Sequence, residues 1–498
     1  MRAPLSVLPL AALLCAAALV AAAPHPAKSE GVIAVAAGGS HTCALTAAGG
    51  VKCWGDNTVN QLGIGTAGGR STVPLDVVDL DAGVVAIDAS DHTCAITSGG
   101  GLKCWGNNSL GQLGDGTTTD RATPVDVLGL QSGVTDVSTG AFHTCVVMAT
   151  GSVKCWGRNV LGQLGVPIAQ TTERCFLAIE EEPCSTTPLD VRGLDGTVTE
   201  VGAGGNHTCA LIVTGGIKCW GSNVSSELGA ATSEQCIQTG FPNPCSTSPL
   251  NVAGLGDPAR GLTSGGFHTC ALGMNGTVKC WGDNFDGQLG DNWACGVLQC
   301  LAPVDVVGLD AGVAAVAAGG FHTCAQLTTG AVKCWGSRQY CQLGGGIPPT
   351  PDSVCPLAAL PFSVPVPVDV CGQPACSTHL AATAAVSAGH IHTCAVPTRG
   401  GVKCWGANGS GQVGIGRCCL PVSAPLDVVG LGPKPEPSAT PTATLGATVV
   451  PTPSQTPDGA SLPIRLPSAG EGASRPVDAA RPPTVARRGT TRRSVRRS

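Results

Sequence analysis

The stretch Gly265–Gly290, GGFHTCALGMNGTVKCWGDNFDGQLG, decides the fold, because the chain repeats it. His-Thr-Cys begins at His41, His92, His143, His207, His268, His322 and His392, and Lys-Cys-Trp-Gly at Lys52, Lys103, Lys154, Lys218, Lys279, Lys333 and Lys403. Each pair is followed by a segment like Gln61–Gly63 and by a Pro-x-[Asp/Asn]-Val segment such as Pro74–Val77. The first two spacings are both 51 residues; the later spacings of 64, 61, 54 and 70 grow mostly between those last two segments.

Each unit reads as short strands joined by turns. If Cys43 faces Cys53, then Thr46 faces Gly50 and Ala47-Ala48-Gly49 form a three-residue loop. Such a loop favours a left-handed third residue, which glycine adopts without steric cost. The same register places Gly100, Gly151, Gly215, Gly276, Gly330 and Gly400 at that position, so all copies agree. Counting out from the turn makes Cys43 and Cys53 a non-hydrogen-bonded pair, the closer kind of cross-strand neighbour, where a disulfide needs little adjustment.

The disulfide reading joins Cys43 with Cys53, Cys94 with Cys104, Cys145 with Cys155, Cys209 with Cys219, Cys270 with Cys280, Cys324 with Cys334 and Cys394 with Cys404. The alternatives are buried thiols and metal ligation, but a nine-residue gap lacks the close cysteine pairs of a zinc ribbon. Of 27 cysteines, Cys15 belongs to the leader, leaving an even 26. Cys175 with Cys184, Cys236 with Cys245, Cys295 with Cys300 and Cys371 with Cys376 read as local staples in the longer units. The pairing of Cys341, Cys355, Cys418 and Cys419 stays open among three choices.

The ends have a different composition. Residues 1–23 read as a secretory signal, with Arg2, an apolar run from Leu5 to Val20, and cleavage at Ala22 or Ala23. The run is short for a retained membrane helix, and Leu14 before Cys15 argues against a lipoprotein site. A secreted or cell-envelope location follows, and with it an oxidising compartment that suits disulfides. Residues 432–498 are rich in Pro, Thr, Ala and Ser and end in Arg487-Arg488, Arg492-Arg493 and Arg496-Arg497, with a net charge of +6 against −5 for the whole chain. That composition is expected to remain a disordered linker, whose basic tip could attach to an anionic envelope. Residues 31–431 hold the repeats. Across the whole chain, 12% charged residues exclude a charged coiled coil, 71 glycines argue against long helices, and the acidic balance disfavours nucleic acid as partner.

The quoted phrase resembles the regulator of chromosome condensation repeat family. The resemblance covers Val32–Leu431 in seven copies and implies an all-β, seven-bladed β-propeller. Repeated antiparallel strands of this period also need radial stacking to bury their faces. Intracellular members do not normally carry the cysteine pairs; secreted bacterial members, among them a β-lactamase inhibitor, are the nearer resemblance. The best-known member exchanges guanine nucleotides on a small nuclear GTPase. That role, as an expectation by analogy alone, sits poorly with a signal peptide, and none of its residues is carried over.

The repeated polar and aromatic residues invite chemical readings, and packing accounts for each. Equivalent histidines on neighbouring blades should lie roughly 10 Å apart, too far to share a metal, so a hydrogen-bonding role is expected. Trp54, Trp105, Trp156, Trp220, Trp281, Trp335 and Trp405 suit a repeated packing slot between blades better than a ligand ring. Asp56-Asn57 and Asp283-Asn284 hint at calcium, but the matching positions, Asn107, Arg158, Ser222, Ser337 and Ala407, supply no consistent carboxylate. Asp76, Asp126, Asp190, Asp305, Asp369 and Asp427, with Asn251 in the fourth copy, read as turn or strand-end hydrogen bonders. No cofactor or metal is expected, and no catalytic residue is assigned.

The expected function is therefore a monomeric binding scaffold for a protein or glycan, recognised through the inserted loops of copies three to six. A hydrolase-like enzyme would need its groups among Glu173, Glu180, Glu181, Glu182 and Asp291. A surface-tethered spacer is the third reading. Finally, the seventh Pro-x-Asp-Val segment has no apolar strand after it, while Val32–Val35 has no such segment before it. The ends are expected to share one blade, with Pro425–Val429 beside strands of the first copy.

Overall fold

The computed structural model describes residues 31–177, 180–238, 240–345, 363–371 and 380–432. The signal segment, the tail beyond Gly432, Cys355 and Cys376 lie outside them. Seven antiparallel sheets form the blades of a β-propeller, each built from one contiguous stretch of chain. Blade one comprises Val32–Ala37, His41–Thr46, Val51–Asp56 and Arg70–Asp76, in that order from the axis outward. The short apolar strands come innermost: each packs against its counterparts in the two neighbouring blades.

The hairpin register puts the two cysteines of every copy directly opposite each other. Cys43 is joined to Cys53, Cys94 to Cys104 and Cys145 to Cys155. The next four blades repeat this, with Cys209 joined to Cys219, Cys270 to Cys280, Cys324 to Cys334 and Cys394 to Cys404. All seven hold their Cα atoms 4.0–4.2 Å apart, the closeness of a non-hydrogen-bonded pair. The turn closes as its sequence requires. Thr46 N–H donates to the Gly50 carbonyl, Gly49 N–H donates to the Thr46 carbonyl, and Gly49 takes a φ of +83°. A Cβ there would also meet the Gly83 backbone nitrogen at 2.6 Å.

The core is a set of packets between blades rather than one central mass. The packet between blades one and two holds the Cys43–Cys53 disulfide, Leu45, Val51, Leu62, Val77 and Val84 with Trp105 of blade two. Trp156, Trp220, Trp281, Trp335 and Trp405 fill the same slot in the succeeding packets, and Trp54 packs against blade seven. All seven indoles are fully buried. Each indole Nε1–H donates to a carbonyl of the preceding blade, Trp105 to Gln61 at 3.1 Å and Trp54 to Gln412 at 2.9 Å. The glycine after each Gln-Leu pair makes room: a Cβ on Gly63 would meet Trp105 Nε1 at 2.6 Å.

The expected shared blade is not formed. Val422–Asp427 pairs with Lys403–Gly406 of its own blade, Asp427 opposite Lys403, and Val32–Ala37 pairs with His41–Thr46. The apolar strand belongs with the His-Thr-Cys strand that follows it, so a unit starting at Val32 already holds four strands. The ring closes by packing of blade seven on blade one, with Gly416 N–H donating to the Thr72 carbonyl at 2.9 Å. The inner strands' free edges are covered too. Val201 N–H donates to Asp136, Ala203 N–H to Ser138 Oγ and Ala37 N–H to Ser387 Oγ, each across a blade boundary. Side chains thus satisfy backbone groups that a shared strand would otherwise pair.

Candidate functional site

The histidines form a closed belt. His41 Nε2 meets Thr93 Oγ1 at 2.7 Å, and the pattern runs blade to blade until His392 meets Thr42 at 2.8 Å. Thr93 donates its own hydroxyl proton to the Gln61 carbonyl, so its oxygen accepts from the imidazole Nε2–H. Burial favours that neutral form, pushing His41 down to about 4 and the other six to about 3. A buried belt of neutral imidazoles is structural: no ring is exposed to a substrate.

The aspartates of Pro-x-Asp-Val also have partners. Asp76, Asp126, Asp190, Asp305, Asp369 and Asp427 pair with the lysine of the adjacent Lys-Cys-Trp-Gly strand. In blade four Asn251 replaces the aspartate, and Lys218 turns to Asp195 at 2.7 Å. These pairs are half in solvent and add little stability.

Antiparallel alternation sends the turn between strands one and two, and the long loop between strands three and four, to the same end of every blade. The inserted segments of copies three to five therefore share one face, and residues 346–362, which hold most of the insertion of copy six, lie outside the described residues. In blades three and four they form extra outer strands, Glu173–Leu177 beside Glu180–Asp190 and Gln235–Gln238 beside Phe241–Asn251. Cys175–Cys184 and Cys236–Cys245 staple these hairpins, and Cys295–Cys300 joins the shorter insertion of blade five. Cys341 and Cys371 each take part in a disulfide as well, and Cys418 is joined to Cys419.

Three of the five loop carboxylates are occupied in holding this face together, while Glu180 and Glu181 are exposed. Glu182 takes Arg158 in a buried two-pronged pair, Glu173 accepts from Thr186 N–H, and Asp291 accepts from Trp293 and Cys295 N–H and from Asn284. Asp291 lies close to the sulfurs of Cys295 and Cys300, but those sulfurs are spent on each other.

The aromatic residues show the asymmetry most plainly. Outside the seven core indoles, the described aromatics are Phe142, Phe176, Phe241, Phe267, Phe285, Trp293, Phe321 and Tyr340, and all eight sit in the turns, loops and inserted hairpins of this one face. Phe241 is 71% exposed, Phe285 70% and Phe176 58%, with Leu298 at 66% on the same face. Exposed large apolar side chains toward the opposite end, among them Val85, Leu128, Val213, Met274 and Val307, include no aromatic ring. Aromatic side chains concentrated on one surface are the composition of an interface core.

At the centre of the face the turns surround a funnel of about 310 Å³, walled by glycine backbone with Asp91, Phe142, Asn206, Phe267 and His390 among its lining side chains. Phe267, Phe321 and His390 stack in succession, with centroids 5.9 and 5.2 Å apart. Asp88, Asp136 and Glu200 stand on the neighbouring inner strands of blades two, three and four. Burial pushes them up to about 6, 6 and 7, against the backbone hydrogen bonds that each accepts. Sequence reasoning missed these groups; charged residues interrupting an otherwise apolar strand were the available signal.

Known proteins share this architecture. Two sequence profiles described as Regulator of chromosome condensation (RCC1) repeat match the chain, one at residues 32–61, 134–163, 198–227, 260–288, 313–341 and 384–412, the other at 100–147, 150–211 and 275–326. The ultraviolet-B receptor UVR8 of Arabidopsis thaliana is 28% identical over 392 residues, 78% of this chain and 79% of that protein. A probable human E3 ubiquitin-protein ligase, HERC6, is 30% identical over 312 residues, 61% of this chain but only 28% of the ligase. Among solved structures, human WBSCR16 superposes with a TM-score of 0.59 at 20% identity, covering 76% of this chain and 93% of that one. Prp20p from Saccharomyces cerevisiae gives 0.59 at 18% identity, covering 80% and 88%. At these identities the structural likeness speaks for the fold alone.

Proposed function

From the premise that this chain belongs to the regulator of chromosome condensation repeat family, we propose that it is a non-catalytic, secreted or cell-surface scaffold that binds a protein through the face carrying the inserted hairpins. The observation that carries this reading is the placement of all eight described non-core aromatics on that face. Of these eight, Phe142 packs against the buried cluster of Leu110, Cys175 and Cys184, whereas Phe176, Phe241 and Phe285 are exposed. Phe176 and Phe241, exposed on disulfide-held hairpins, offer large contact area at small ordering cost, which is what a protein partner rewards. The signal-like leader and the stapled hairpins support an extracellular setting. The loop carboxylates support binding over hydrolysis, since Glu173, Glu182 and Asp291 are committed to fixing the loops.

The test is selective capture from culture medium. The full chain carrying Phe176→Ser, Phe241→Ser and Phe285→Ser should lose a partner that the unaltered chain retains. A Val213→Ser, Met274→Ser version, altered on the opposite face, should keep it. Loss in the second variant with retention in the first would reverse the assignment.

A further inference from the structure

The funnel holds a carboxylate that no hydrogen bond claims. Asp91 is half-buried in its wall and accepts none among the described residues. It reaches the funnel because blade two has the shorter turn: two residues separate Ala89 from His92, where three separate Ala37 from His41. A Cβ on Gly39 would meet Asp91 Oδ1 at 2.5 Å, so the carboxylate lies against the bare backbone of blade one.

We propose that this funnel is a binding site for a single organic cation, the ammonium or guanidinium of a basic side chain that the docking protein inserts at the centre of the face. The inference rests on the binding reading above and adds the chemistry of its central contact.

Three observations favour a cation. No lysine or arginine lines the funnel; its one basic group, His390, is lowered on balance because burial outweighs the opposing charge of Asp91, and burial raises Asp91 in turn. Arg158, whose guanidinium lies over the Phe142 ring at the funnel wall, is already neutralised by Glu182. The inner strands beneath carry Asp88, Asp136 and Glu200 against one basic residue, Arg260, so acidic groups outnumber basic ones around the axis. The walls suit the shape of the ligand as well as its sign. Phe142 and Phe267 line the funnel, and rings of this kind attract cations placed over them. The fold already uses that contact once, with Arg158 centred 5.5 Å from the Phe142 ring. Blade two lies across the seven-membered ring from blades five and six, so a cation held by Asp91 would have the Phe267 turn on its far side. The volume of about 310 Å³ is at the small end of ligand sites, suited to one side chain rather than a peptide strand.

The experiment is ligand-observed NMR on the full chain with three probes, the N-acetyl methylamides of arginine, lysine and norleucine. The two cations should bind saturably with dissociation constants of about 1–10 mM. Norleucine, of lysine's length without the charge, should bind at least about 10-fold more weakly, and Asp91→Asn should weaken the cations about 5–10-fold. Asp91→Glu, which keeps the charge, should bind them within about 3-fold of the unaltered chain. The inference is overturned by equal binding of norleucine, by undiminished binding to Asp91→Asn, or by no saturation up to about 50 mM. None of the probes requires a partner. Failed cation binding with selective capture intact would remove this inference alone, and saturable cation binding with capture unaffected by the aromatic substitutions would remove the docking face alone.

Discussion

Blades one and four are built on the same four strands and differ in what hangs from them. In both, the disulfide faces the next blade's indole, and His41 and His207 reach the next blade's threonine. The side chains that take no part in the seam to the next blade have changed. Gln61 donates to Asp56; in blade four Glu227 stands in its place and pairs with Ser222. Asp76 has become Asn251, and Lys218 has found Asp195 instead. Blade four has also grown the stapled hairpin. The difference teaches that positions bridging to the next blade are fixed by the neighbour, whereas positions outside that seam can change in matched sets.

The largest test strikes what the two blades share. Each belt histidine has a folded pKa of about 3–4 against 6.5 unfolded, so the unfolded chain takes up protons first as the medium is acidified. Their contribution is intact above pH 6.5 and is lost as the pH falls from there toward 4. At pH 5 each histidine contributes about 2 kcal/mol of destabilisation, and seven together more than about 10 kcal/mol. Denaturant melts between pH 7 and pH 4.5 should therefore show a steep, cooperative loss in which no blade survives alone. A shallow decline, or one blade melting separately by hydrogen exchange, would break the picture of a common belt.

Next in size is the indole. Trp105→Ala and Trp281→Ala, at the seams that follow blades one and four, should each cost about 3–5 kcal/mol in equilibrium unfolding. Values that match within about 1 kcal/mol sharpen the claim that the seams are equivalent despite unequal loops. The smallest effect separates the blades. Burial pushes Glu227 up to about 7, from 4.5 in the unfolded chain. A raised carboxyl favours folding while protonated and loses that advantage as the pH rises through 4.5 to 7. Glu227→Gln should thus leave stability unchanged near pH 4.5 and add up to about 3 kcal/mol at pH 8. Equal melting of the two forms at pH 8 would show the glutamate to be as well housed as Gln61.

Much of this was legible in the sequence, for stated reasons. Gly49 and its six counterparts fix the hairpin register, and that register puts Cys43 opposite Cys53, as it puts Cys94 opposite Cys104 and Cys394 opposite Cys404. One indole per unit at a constant strand position marks a packing slot, and Trp105 fills it. Closure was misread because a repeat carries no mark of where it begins: Val32–Val35 could end one unit or start the next, and only its pairing with the His-Thr-Cys strand decides. The Lys52–Asp76 pair was hidden because its two halves flank the insertion point, the most variable length in the unit. The aromatic face escaped notice because Phe142, Phe267 and Phe321 precede His-Thr-Cys in some copies and not in others; only strand alternation brings them to the same end as Phe176 and Phe241.

The contiguity of each blade has a consequence in time. As the chain is synthesised, blade two meets blade one after some 52 further residues, the separation of His41 from Thr93, and the next five seams follow at similar intervals. The last seam joins Thr42 to His392, 350 residues apart. Until Gln412 has left the ribosome, Trp54 lacks the carbonyl it will bond and the first blade has one bare side. The growing arc therefore carries an uncovered apolar flank from its second blade to its seventh, and the only surface made to cover it is the last one to be produced.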